Sequence, residues 1–101
     1  GEDVIDFLKR VPVNDITRRL ISQLAGAGTS VGANYGEADD APSKKAYKSS
    51  ISVCKREARE AKFFIRMIVK AVPDLKKEAR LLWQEAKELH LIFCKLYRGS
   101  E

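Results

Sequence analysis

Apolar residues recur along most of this chain at spacings of three and four, the period of an α-helix with one buried face. Leu75, Ala79, Leu82, Ala86, Leu89, Phe93 and Leu96 form one such stripe, opposite a charged side. Tyr47, Ile51, Cys54, Ala58, Ala61, Ile65, Ile68 and Val72 form a second over about seven turns. A third steps through Ile16, Leu20, Leu24, Ala27, Val31, Tyr35 and Ala38. No segment sustains the period of two expected of a strand.

Prolines divide these stripes. Pro12, Pro42 and Pro73 each lie beside a candidate cap, Asn14 or Asp15, Ser43, and Asp74, whose side-chain oxygens can accept the unpaired backbone donors of a helix start. The pattern predicts a short segment ending near Arg10 and helices over residues 15–39, 43–71 and 74–97. Short connections between amphipathic helices imply antiparallel neighbours. The expected fold is therefore all-α, an antiparallel up-down four-helix bundle with a short or truncated first helix, formed by residues 1–101 as one domain.

The stretch "GAGTSVGANYG", residues 26–36, resembles a phosphate-binding glycine loop. Such a loop needs a strand before it and a helix after it, or a closing Gly-Lys-Ser/Thr, and neither context is present. The apolar stripe instead continues through the glycines, which predicts an unbroken helix. Four interior glycines cost about 1 kcal/mol each relative to alanine. Gly28, Gly32 and Gly36 share one row, so a closely approaching neighbouring helix is the expected compensation. Asn34 lies near the stripe and is expected to bond across helices.

Size and composition narrow the function. The chain has 101 residues, 45% hydrophobic and 33% charged, enough for one core and too interrupted by charge for a membrane span. It begins at Gly1, which fits a processed end, a tag remnant or a boundary with residues lost upstream. Cys54 and Cys94 form no disulfide framework or zinc motif, and packed, reduced thiols in a cytoplasmic protein are expected. His90 is the single histidine, with no spacing for a catalytic triad and no Glu-x-x-His metal pair. The expectation is a protein that is not an enzyme and carries no metal or cofactor.

Charge gives the sharpest functional signal. The net charge is +5, and Lys44, Lys48, Lys55, Arg59, Lys62, Arg66 and Lys70 fall within roughly 80° of one helix face. This ridge runs about 39 Å at 1.5 Å per residue, a length matched to several phosphates. Phe63 is its sole aromatic neighbour in the sequence, so contact with nucleic acid backbone and shape is expected rather than base stacking. A solvated face or an acidic protein partner accounts for the same ridge. Phe63, Phe64, Met67, Leu81, Leu91 and Ile92 lie off the main stripes and point to self-association.

The runs "SQL", "TSVGANYGEA", "SKKAY" and "KREARE" followed by "FF", between Ser22 and Ile68, resemble the four-helix-bundle proteins encoded in intervening sequences of bacterial 23S ribosomal RNA genes. That family is similar to the accessory protein of diversity-generating retroelements, which binds nucleic acid. The resemblance implies a non-enzymatic antiparallel bundle able to form rings of five, engaging RNA or DNA and no membrane. It gives Asn34, Glu37, Glu57 and Glu60 structural roles. Members usually have a longer first helix than residues 2–10 can supply. The alternative is an oligomeric scaffold or interaction module without a nucleic-acid role.

Overall fold

In a computed structural model, which describes residues 2–100, the chain forms helices α1 (Glu2–Leu8), α2 (Thr17–Asp39), α3 (Lys44–Ala71) and α4 (Lys76–Gly99). A 3-10 turn, Pro73–Leu75, joins α3 to α4, and no strand occurs among the described residues. The architecture is the all-α bundle expected from the periodicity. No helix among the described residues is long and apolar enough to cross a membrane.

Two of the three proposed starts are built as their residue types suggest. Ser43 caps α3, its hydroxyl accepting from the Ala46 backbone N–H at 3.1 Å. The Asn14 side chain accepts from the N–H groups of Ile16 and Thr17, both at 2.9 Å, and its carbonyl accepts from Arg18, opening α2. Asp74 makes no capping bond, contrary to expectation. Proline disfavours helical backbone in the residue before it, so Val72 leaves the helix at φ −135° and ψ 78° and the 3-10 turn takes over. Thr17 is buried and fully used, accepting from Asn14 N–H and donating to the Pro12 carbonyl.

Helix α3 is the central element. Helices α2 and α4 pack along it on two sides, their backbones remaining apart, while α1 bridges the two. One core cluster joins Leu24 and Ala27 to Ile65, Ile68, Ala79 and Leu82, closed by Phe7, Leu8 and Val11 from α1 and its exit. A second, nearer the other end, joins Ala38, Ile51, Cys54, Ala58 and Phe93. Tyr35 reaches Phe93 there, with ring centroids 6.0 Å apart. The stripe on α2 is narrower than its spacing suggests, because Ile16 and Tyr35 are exposed.

Helix α2 runs through Gly26, Gly28, Gly32 and Gly36 with no positive-φ residue, which removes the phosphate-loop alternative. The expected close approach occurs at Gly28 alone, where a Cβ would stand 3.4 Å from Val4 of α1. Gly32 and Gly36 face open space, with no described residue against them. Asn34 also differs from expectation. It donates within its own helix, to the Ser30 carbonyl at 2.9 Å and the Ser30 hydroxyl at 3.2 Å, so no interhelix bond is needed to satisfy it.

Candidate nucleic-acid interface

All seven ridge residues lie on the uninterrupted helix α3. Lys44, Arg59, Arg66 and Lys70 are exposed, whereas Lys48, Lys55 and Lys62 are half-buried because they lean toward α4. The ion pairs among the described residues, Arg18 with Asp15 and Arg56 with Glu57, involve none of the seven. None of the seven has a carboxylate partner among the described residues.

Sequence reasoning missed what α4 contributes. Tyr97 lies under two ridge lysines, with the Lys48 and Lys55 ammonium groups 4.9 and 4.4 Å from its ring centroid. Trp83 holds Lys62 at 6.0 Å and Lys87 at 5.7 Å. Ammonium groups are attracted to the negative face of an aromatic ring, and these rings fix lysine heads that would otherwise wander. At the α4 start, Arg66, Lys76 and Arg80 surround a shallow hollow of about 310 Å³ floored by Ile65, Val69, Ala79 and Trp83. Lys76, Arg80 and Lys87 with the seven ridge residues make ten of the chain's nineteen lysines and arginines.

The expected aromatic neighbour, Phe63, has a different role. It is 55% exposed and packs its edge against Phe64, with centroids 5.3 Å apart. Phe64 and Met67, both proposed as self-association residues, are half-buried, and Phe64 packs against the bundle core. Leu81, Leu91 and Ile92 remain exposed as the off-stripe reading expects.

His90 reports the electrostatics of this seam. Lys62 Nζ lies 3.2 Å from His90 Nδ1, and since an ammonium only donates, Nδ1 is the acceptor. The ring proton is thereby assigned to Nε2, 3.6 Å from Cys94 Sγ. Burial pushes the His90 pKa below its ordinary value, and Lys62, Arg59 and Lys55 push it further. Burial conversely raises the pKa of the Cys54 thiol, which sits in the core, 3.7 Å from the Val31 carbonyl.

The chain matches no family profile, no curated protein and no solved structure. The likeness to the intervening-sequence proteins thus stands on the residue runs given above. Of the four polar residues it singles out, Glu57 is paired with Arg56 and Asn34 with Ser30, while Glu37 is exposed and Glu60 half-buried.

The ridge is a row of cations about 39 Å long at helical rise, close to the 44 Å extent of the molecule, with three of the seven held over aromatic rings. Backbone phosphates are the ligand such a row neutralises most efficiently, since each cation bound releases a condensed counterion.

Proposed function

We propose that this protein is a non-enzymatic, basic helical bundle that binds nucleic acid, foremost structured RNA, along the seam between α3 and α4. The observation carrying the reading is the unbroken row Lys44, Lys48, Lys55, Arg59, Lys62, Arg66 and Lys70 with no carboxylate partner among the described residues. The resemblance to bundles associated with ribosomal RNA genes supports the same reading, and extends it to a cytoplasmic homo-oligomer, possible as a ring of five.

Fluorescence anisotropy with a labelled RNA hairpin tests it. If most ridge cations contact phosphates, log K falls against log salt with a slope of about −4 to −6. A slope near −1, or no binding at 50 mM salt, would falsify the proposal.

A second reading has its own observation. Leu81, Leu91 and Ile92 expose more than half of their surface, as does Phe63. In an oligomeric scaffold these would be contact residues and the ridge a solubilising face. Sedimentation velocity separates the alternatives: a stable oligomer with no affinity for RNA favours the scaffold.

A further inference from the structure

We infer that the nucleic acid this seam fits is a duplex, held by its phosphates over about a dozen base pairs, and that the rings in the seam position lysines instead of stacking bases. The inference rests on the nucleic-acid reading above and goes beyond it by naming the class of strand.

Proteins that grip single strands present open aromatic faces on which successive bases stack. Both rings of the seam are already engaged by cations. Tyr97 carries Lys48 and Lys55, and Trp83 carries Lys62 and Lys87. Stacking a base would mean displacing an ammonium that is itself wanted for a phosphate. Phe63 is open, but it lies beyond the ridge in contact with Phe64, and one ring is no platform for a run of bases.

The lysines so held form a regular series. Lys48, Lys55 and Lys62 are seven residues apart, about 10.5 Å along the axis, on a helix without a break. A straight rail with fixed heads suits a stiff partner. A duplex is straight over this distance, since its persistence length is about 50 nm. A flexible strand would have to be ordered along the rail at an entropic cost. The row of about 39 Å corresponds to about eleven or twelve base steps of 3.4 Å.

The test compares labelled 16-base-pair RNA and DNA duplexes, a 16-nucleotide oligo-uridine and a hairpin with a six-base-pair stem by anisotropy at one salt concentration. Either duplex, or both, is expected to bind about tenfold or more tighter than the single strand, and the short stem to lose about tenfold because it covers half the rail. The RNA and DNA arms tell the two duplex sources apart. Tyr97→Leu is expected to weaken duplex binding severalfold without weakening oligo-uridine more. Equal or tighter binding of oligo-uridine overturns the inference while leaving nucleic-acid binding intact, as does a larger Tyr97→Leu loss on the single strand. Absence of binding to all four probes at low salt overturns both. The duplex-to-single-strand ratio is read on the unaltered protein, so the outcome stands even if Tyr97→Leu fails to fold.

Discussion

Helix α4 has two flanks of opposite character. Toward the α3 ridge it presents Lys76, Arg80 and Lys87 with Trp83, His90 and Tyr97. Toward α1 it presents Glu78 and Glu85, which with Asp3, Asp6 and Arg10 line a separate groove. One flank depresses the pKa of a base; the other, through partial burial, the neighbouring Asp3 carboxylate and then Glu88, raises that of the Glu85 acid. The modest net charge of the chain therefore conceals a cation-rich flank and a mainly acidic one on the same helix. Total charge says little about binding, and segregation says much.

The largest expected effect contrasts the flanks directly. Reversing Lys55, Arg59 and Lys62 to glutamate should lower affinity for RNA by at least about a hundredfold, since three phosphate contacts become repulsions. Asp6→Lys with Glu85→Lys makes a smaller charge change of opposite sign in the opposite flank, and should leave affinity unchanged or raise it a few fold through long-range attraction. Anisotropy on both variants, with circular dichroism as a folding check, decides the matter. Comparable losses in the two would erase the distinction between flanks.

An intermediate effect concerns how α1 holds its acids in place. Gly28→Leu drives a side chain into Val4 and should destabilise by about 1–3 kcal/mol in urea unfolding. Gly32→Ala points into open space and should instead stabilise by about 1 kcal/mol, by helix propensity alone. Stabilisation by both variants would mean that α1 does not seat on Gly28.

The smallest effect is on pH dependence, and its sign differs between flanks. The folded pKa of His90 lies below its unfolded value, so the unfolded chain takes up the proton first and stability is lost as pH falls below about 6.5. The folded pKa of Glu85 lies above its ordinary 4.5, so the folded state keeps its proton longer and stability is lost as pH rises through that range. Thermal melts between pH 4 and 8 should show His90→Gln flattening the acid-side loss and Glu85→Gln the loss as pH rises above 4.5. Superimposable profiles would remove the electrostatic contrast.

Much of the fold was legible because it depends on neighbours in sequence. Spacing, prolines and the Ser43 and Asn14 caps locate α2 and α3 within a residue or two, and α3 carries its ridge as the register requires. The exceptions are instructive. Asp74 loses its cap to the geometry that Pro73 imposes, and Asn34 turns back on Ser30 because a local carbonyl was within reach. Gly32 and Gly36 were expected against a neighbour and lack one, because helix-to-helix approach is set by tertiary packing and falls at Gly28 alone.

By itself the sequence determined the helices, their buried faces and the line of seven cations, since each follows from the 3.6-residue repeat within a single segment. Tertiary structure alone decided that Tyr97 and Trp83 would lie under those cations, that His90 would share a proton contact with Lys62, and that the acids would gather on the far flank of α4. Those pairings join residues about 20 to 50 positions apart in the seam, and up to about 80 between α1 and α4, set by how helices rotate and slide against one another while filling a common core. A repeat within one helix carries no record of the angle at which another meets it.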